Sequence, residues 1–249
     1  MDRARVRLCV LLPVMLVLLG VAGASPARPQ TNVDLQLVLA VDASGSVNDA
    51  RFELQKQGYA AAFRNPQVAK AIMSGGEQAI AVTMVQWTGP FMHAQVVPWT
   101  VLKDAASAKA FGDAIAATRR ELYGGGTSIS GAIDHAMVLL SQSPYSSPRR
   151  TIDISGDGAS TSGRSITNAR DDAVRNGVSI NGLPILALDA YLDTYYYTYV
   201  IGGPGAFMIP AANYENFADA VVKKLILEIA VNDDQAPMKQ WGAVLAGTR

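Results

Sequence analysis

The chain has 249 residues, of which 49% are apolar and 17% are charged, and its formal net charge is zero. This composition suffices for one large α/β domain, or two small ones, with a full hydrophobic core. The balanced charge does not suggest the basic stripe that nucleic-acid binding requires, so we expect no nucleic-acid partner.

The first 24 residues differ in composition from the rest of the chain. Arg3, Arg5 and Arg7 precede the apolar residues 8–19, and the small residues 22–24 (Ala-Gly-Ala) follow. A positive start, a short apolar run and a small-residue site are typical of a secretory signal peptide. Cleavage is favoured over an uncleaved anchor, because spanning a bilayer takes about 20 apolar residues. We therefore expect a signal peptide over residues 1–24 and a periplasmic or secreted protein.

The remaining chain is expected to form one domain. The only cysteine of the full sequence, Cys9, lies in the expected signal peptide, so the exported chain would contain neither a thiol nor a disulfide. No later stretch is long and apolar enough for a transmembrane helix. Residues 25–32 are expected to be a linker, residues 33–230 the domain, and residues 231–249 a loose tail.

From residue 33 onward, short apolar runs alternate with segments of helical periodicity. We expect strands at residues 34–41, 79–87, 93–99, 151–155, 178–188 and 206–210, and helices at residues 51–63, 107–121, 130–140, 165–176 and 214–229. Pro184 interrupts the fifth of these strands, so we expect that strand to be shorter than its apolar run. The second and third strands are joined by a short turn, which predicts an antiparallel edge hairpin because a parallel crossover needs a dozen or more residues. Strands alternating with helices predict a doubly wound, three-layer α/β fold whose central sheet is mostly parallel.

Polar residues follow two of these strands and one glycine-rich loop. Asp42, Ser44 and Ser46 follow the first strand, Asp157 follows the fourth, and Thr127 follows three glycines at a helix start. In doubly wound sheets, ligands bind at the carboxyl ends of the strands where the strand order reverses. If the first and fourth strands are neighbours, these five side chains meet there.

Two carboxylates and three hydroxyls form a hard oxygen site. Such a site suits Mg²⁺, which is the expected ion, and also Ca²⁺ or Mn²⁺. Because hydroxyl ligands are neutral, the ion would remain a strong Lewis acid with a position for another oxygen. The sequence therefore predicts a module that binds a carboxylate of a protein or peptide partner through the ion.

The same residues resemble the metal-ion-dependent adhesion site (MIDAS) of von Willebrand factor A (vWA) domains. Asp-x-Ser-x-Ser after the first strand, a threonine after a glycine-rich loop and an aspartate after the fourth strand all stand in the order of that motif. The resemblance covers roughly residues 33–230 and implies a Rossmann-like vWA fold without enzymatic activity. It implies that Ser44 and Ser46 bind the ion directly and Thr127 directly or through water. Asp42 and Asp157 would orient coordinated water or the serine hydroxyls.

A second resemblance concerns residues 200–207 (VIGGPGAF), which are similar to a segment of a bacterial subgroup of exported vWA-like proteins with no assigned function. Residues 191–199, with five tyrosines, depart from the better-known adhesion domains. These rings would form either an interaction patch or packing against the sheet edge.

Other interpretations of the same residues stay open at this point. Asp42 and Ser44 alone also suit a helix-capping turn, and the glycine-rich loop suits phosphate binding, although the lysine of a P-loop is missing. The main alternative is a metal-dependent hydrolase or phosphoesterase. Ser44 lacks the Gly-x-Ser-x-Gly elbow, however, and neither His93 nor His135 is expected within reach of it.

Overall fold

The computed structural model describes residues 30–230, so the expected signal peptide and tail lie outside the described part of the chain. The strands are β1 (Thr31–Asn32), β2 (Leu35–Asp42), β3 (Ile80–Trp87), β4 (His93–Leu102), β5 (Tyr145–Ser146), β6 (Arg150–Gly156) and β7 (Ser179–Pro184). The helices are α1 (Asp49–Phe63), α2 (Pro66–Ile72), α3 (Ala105–Ala117), α4 (Ile129–Ser141), α5 (Ile166–Arg175), α6 (Leu192–Tyr195), which continues as a π-helical turn (Tyr196–Val200), and α7 (Phe217–Ala230). Within residues 30–230, no helix combines the length and the apolar character needed to cross a membrane.

Five strands form the central sheet in the order β4-β3-β2-β6-β7. β2 pairs in parallel with both β3 and β6, β6 pairs in parallel with β7, and β4 pairs antiparallel with β3. The predicted doubly wound sheet with an antiparallel edge is thus confirmed, as is the neighbourhood of the first and fourth predicted strands. The strand order reverses between β2 and β6, so the carboxyl ends of these two strands lie side by side.

Helices cover both faces of the sheet, which gives the predicted three layers. Leu35, Leu37 and Leu39 of β2 pack on one face with α1, α2, α3 and α7, whereas Val38 and Ala40 pack on the other with α4, α5 and the π-helical turn. This alternation follows from the two-residue period of a strand. β2 is buried along its whole length, as expected of a strand covered on both faces.

A buried ion cluster fixes α7 to the sheet. The ammonium of Lys224 lies 2.6 Å from Asp153 Oδ1 of β6 and 2.8 Å from Glu228 Oε1, and all three residues are almost fully buried. Asn181 of β7 donates a hydrogen bond to Glu228 Oε1 at 2.6 Å. Burial raises the pKa of the Asp153 carboxyl, although the charge of Lys224 opposes the rise.

Several predicted elements differ from the structure. The strand expected at residues 93–99 continues to Leu102, and the helix expected at residues 214–229 begins at Phe217. The helix expected at residues 107–121 ends at Ala117, because Thr118 takes an extended conformation. The strand expected at residues 178–188 ends at Pro184, which confirms that this proline shortens it, and Pro184 lies opposite the last residue of the partner strand β6. The segment at residues 206–210 forms only isolated bridges, with Gly205 at positive φ before it.

The short elements α2, β1, β5 and α6 were not predicted. α2 begins with Asn65 as its cap and Pro66 at its first position, a recognisable start signal for a helix of only seven residues. Thr31–Asn32, within the expected linker, pair in parallel with Tyr145–Ser146.

Candidate metal centre

The turn after β2 connects to the end of β6 through its side chains. Asp42, the last residue of β2, is fully buried, and its Oδ1 accepts a hydrogen bond from the Ser44 amide at 2.7 Å. The Ser44 and Ser46 hydroxyl oxygens are 3.2 Å apart, and the Ser46 hydroxyl donates to Asp157 Oδ1 at 2.5 Å. Four of the five residues chosen from the sequence thus form one hydrogen-bonded cluster.

Thr127 lies at the same edge of the sheet, but no hydrogen bond within residues 30–230 joins its hydroxyl to the cluster. The glycines at 124–126 before it have φ angles of 66°, 86° and 83°, which residues with a side chain rarely adopt. A Cβ placed on Gly45 would lie 4.0 Å from the Cα of the first of these glycines, so the two loops are adjacent. The Thr127 carbonyl accepts hydrogen bonds from the Thr161 and Ser162 amides at 2.8 and 3.2 Å, which ties this loop to the one after β6.

Asp157 is held by two residues that the sequence did not single out. The Tyr214 hydroxyl donates to Asp157 Oδ2 at 2.8 Å. Arg51 Nη1 lies 3.8 Å from the same oxygen and donates to the Ser46 carbonyl at 2.7 Å. Burial and then the charge of Asp157 raise the pKa of Tyr214 above its usual value, so this hydroxyl keeps its proton and remains a donor.

Among residues 30–230, one oxygen of the buried cluster has no hydrogen-bond partner. Within the described chain, neither Asp42 Oδ2 nor the hydroxyl of the fully buried Tyr196 has a hydrogen-bond partner. A Cβ on Gly156 would lie 2.9 Å from this carboxylate oxygen and 3.0 Å from the tyrosine oxygen, so glycine leaves room for both. Burial raises the pKa of Asp42 from 3.8 to about 7 against the lowering effect of the Ser44 hydrogen bonds, and the charge of Asp157 adds to the rise. A buried carboxylate with a free oxygen is stabilised by a proton or a cation, and the donor set fits a hard divalent cation.

Arg120 supports the turn after β2. Its Nη2 donates to the carbonyls of Ala43 and Ser44 at 2.9 and 3.3 Å, and its Nη1 donates to Asp49 Oδ1 at 2.9 Å. The guanidinium also lies 4.6 Å from the centroid of the Tyr123 ring. One side chain therefore links the turn, the start of α1 and the segment before the glycine loop.

Imidazoles and carboxylates alone do not form a metal site in the part of the chain that the structure describes. Within residues 30–230, no three His, Cys, Asp or Glu side chains converge as a metal site, so an ion here would need the hydroxyls. His93 and His135 stack on each other with ring centroids 4.7 Å apart. Burial lowers the pKa of both imidazoles, that of His93 to about 4. In the described chain neither ring is hydrogen-bonded to Ser44, so no serine–histidine pair supports the hydrolase alternative.

Some tyrosines of residues 191–199 pack inside the protein, and others are exposed as an interaction patch would be. Tyr196 is fully buried, and the Tyr195 hydroxyl accepts a hydrogen bond from the Ser160 amide in the loop after β6. Tyr191, in contrast, has 79% of its surface exposed. Part of the segment therefore belongs to the core behind the candidate site, and part faces solvent.

Residues 32–233 match a family model described as "Protein of unknown function (DUF1194)". A search of curated protein sequences found no match. Among solved structures, the chain is similar to proximal thread matrix protein 1 (PTMP1) from the mussel byssus, with 14% identity, a TM-score of 0.60 and coverage of 81% of this chain and 48% of that one. A second PTMP1 structure, described as having a zinc occupied MIDAS motif, is similar with 14% identity, a TM-score of 0.57 and coverage of 79% and 46%.

Two bacterial pilus proteins are also similar. The pilus adhesin SpaC from Lactobacillus rhamnosus GG has 13% identity, a TM-score of 0.56 and coverage of 81% of this chain and 31% of that one. The von Willebrand factor domain of the type V pili tip protein Mfa5 from Porphyromonas gingivalis has 11% identity, a TM-score of 0.54 and coverage of 82% and 98%. The chain thus spans less than half the length of the matched PTMP1 and SpaC chains. At these identities the likenesses establish the vWA fold.

Proposed function

We propose a function for this chain, which belongs to the DUF1194 family: it is an exported, non-enzymatic module that uses a divalent cation to bind an acidic group of a protein or peptide partner. The proposed ligands are Asp42, Ser44, Ser46, Thr127 and Asp157, and the proposed ion is Mg²⁺, because hydroxyl and carboxylate oxygens suit a hard cation. One observation carries this proposal: the hydrogen-bonded cluster of two carboxylates and two hydroxyls at the point where the strand order reverses.

The chain's own residues would divide the work of the site. Asp157 accepts a hydrogen bond from the Ser46 hydroxyl, which turns the hydrogen toward the carboxylate and leaves a lone pair of the hydroxyl oxygen free to coordinate. Ser44, whose hydroxyl oxygen lies 3.2 Å from that of Ser46, supplies a second neutral oxygen. Asp42 would supply negative charge through its Oδ2, which has no hydrogen-bond partner among residues 30–230. A bound divalent cation would supply a Lewis acid that accepts an oxygen of the partner.

The descriptions of the similar proteins support a binding role and export. SpaC is described as a pilus adhesin, Mfa5 as a pili tip protein and PTMP1 as a thread matrix protein.

Calorimetric titration of the EDTA-treated, dialysed chain with Mg²⁺, Ca²⁺ and Mn²⁺ tests the proposal. We expect one site per chain, lost in Asp42→Ala and weakened in the milder Ser46→Ala. Asp113→Ala is the matched control, because Asp113 is a half-exposed carboxylate on α3 that contacts Arg64 and Lys109. A wild type that binds none of the three ions, or unchanged binding in a folded Asp42→Ala, would overturn the proposal.

A further inference from the structure

We propose that Arg51 is a second anchor for the partner's acidic group, so that the site selects a carboxylate whose two oxygens are shared between the cation and the guanidinium. This inference rests on the proposed function and names the group that the site recognises. Arg51 belongs to none of the motif positions from which the candidate site was predicted.

Arg51 is held directly beside the cluster. It lies in the first turn of α1, where its Nη1 donates to the Ser46 carbonyl at 2.7 Å and lies 3.8 Å from Asp157 Oδ2. The Tyr214 ring lies against the guanidinium, with its centroid 5.5 Å from Cζ. These contacts fix the position of the positive charge relative to two proposed ligands.

The guanidinium of Arg51 has donors to spare. Of its three nitrogens, only Nη1 donates a hydrogen bond within residues 30–230, and 30% of the side chain is exposed. Arg120 provides a contrast in the same protein: all three of its nitrogens donate to the chain, and only 9% of its side chain is exposed. Arg120 therefore uses its donors to hold the fold together, whereas Arg51 keeps N–H groups that can pair with the two oxygens of a carboxylate.

The sum of the charges around the cluster also favours the binding of an anion. The two carboxylates, Asp42 and Asp157, together balance a divalent cation, and the nearby Asp49 is already paired with Arg120. Arg51 then gives the loaded site a net positive charge. Removing this charge should make cation binding easier and anion binding harder, which are effects of opposite sign.

The test uses Arg51→Gln and Arg51→Lys in the full exported chain, with Mg²⁺ followed by calorimetry and acetate as the carboxylate probe. Acetate is titrated into the Mg²⁺-loaded protein at constant ionic strength against chloride, and amide shifts are followed by NMR. For Arg51→Gln we expect the Mg²⁺ dissociation constant to fall about threefold or more, because cation–cation repulsion is lost. We expect Arg51→Gln to bind acetate about tenfold more weakly than the wild type does. The affinities of Arg51→Lys should lie between those of the wild type and Arg51→Gln, since lysine keeps the positive charge but lacks the forked N–H groups.

Arg119→Gln is the matched control, because Arg119 is exposed and contacts none of the five proposed ligands. Arg119→Gln should leave the dissociation constants of Mg²⁺ and of acetate nearly unchanged. If Arg51 served only to position Ser46 and Asp157, Arg51→Gln would weaken Mg²⁺ and acetate together, and that result would overturn the inference. Two other results would also overturn the inference while leaving the metal site intact. One is equal acetate affinity in the wild type and Arg51→Gln, and the other is a wild type that binds Mg²⁺ but does not bind acetate. A wild type that does not bind Mg²⁺ would instead remove the proposed function.

Discussion

Replacing Asp42 with Asn removes one buried charge and keeps the shape of the side chain, including the oxygen that accepts the Ser44 amide hydrogen. Burial raises the pKa of the Asp42 carboxyl from 3.8 to about 7. Without a bound cation, the folded protein therefore holds a proton on this group more tightly than the unfolded chain does. The resulting stability is fully present below pH 3.8 and is lost as the pH rises to about 7.

The size of this effect follows from the two pKa values. The difference between 3.8 and about 7 corresponds to about 4 kcal/mol of unfolding free energy, all of it lost above pH 7. Between pH 5 and pH 8 the wild type should lose about 2–3 kcal/mol from this group alone, and Asp42→Asn should lose none of it. Asp153, which is also buried, is present in both proteins, so its titration cancels in the comparison.

The assay is urea unfolding of both proteins in EDTA at pH 5 and at pH 8. The unfolding free energy of the variant minus that of the wild type should rise by about 2–3 kcal/mol between the two pH values. Adding Mg²⁺ at pH 8 should stabilise the wild type and leave the variant unchanged. A difference that does not change with pH in EDTA, or equal stabilisation of both proteins by Mg²⁺, would refute the reasoning.

Three further substitutions test the surroundings of the cluster. Tyr214→Phe removes the hydroxyl donor of Asp157 and keeps the ring, so urea unfolding should show a loss of about 1.5–3 kcal/mol; no measurable loss would contradict a stabilising role for this bond. Lys224→Met leaves two buried carboxylates without their cation and should lower the unfolding free energy by about 3–5 kcal/mol; a variant as stable as the wild type would contradict the ion cluster. Arg120→Lys replaces the fork that holds two backbone carbonyls of the turn after β2, so calorimetry should show Mg²⁺ binding about tenfold weaker with an unchanged circular dichroism spectrum; unchanged affinity would show that the turn does not need this support.

The position of the candidate site was predictable because it depends on local sequence and on a general rule of sheet topology. Asp42 directly follows an apolar run, and Asp157 follows the Ser-Gly pair that ends another strand pattern; residues in such places lie at the carboxyl edge of a doubly wound sheet. The neighbourhood of β2 and β6 then brings them together, which the structure confirms. That these residues bind a cation stays a prediction.

The surroundings of the site were not predictable, because they depend on contacts between distant parts of the chain. Tyr214 reaches Asp157 across 57 positions, and Arg120 reaches the Ala43 carbonyl across 77. Neither residue stands in a pattern that marks it in one sequence. Lys224 looks like a surface residue in its helix, and only the fold reveals that Asp153 of β6 lies 2.6 Å from its ammonium.

The cation is the centre of the proposed function, and Mn²⁺ can locate it directly. Crystals grown with Mn²⁺ should give an anomalous difference peak between the hydroxyl oxygens of Ser44, Ser46 and Thr127, at about 2.0–2.3 Å from at least two of them. The peak should be absent from Asp42→Ala crystals grown under the same conditions. A wild-type map without a peak at this position, or with Mn²⁺ bound only elsewhere on the chain, would contradict a cation-dependent binding module.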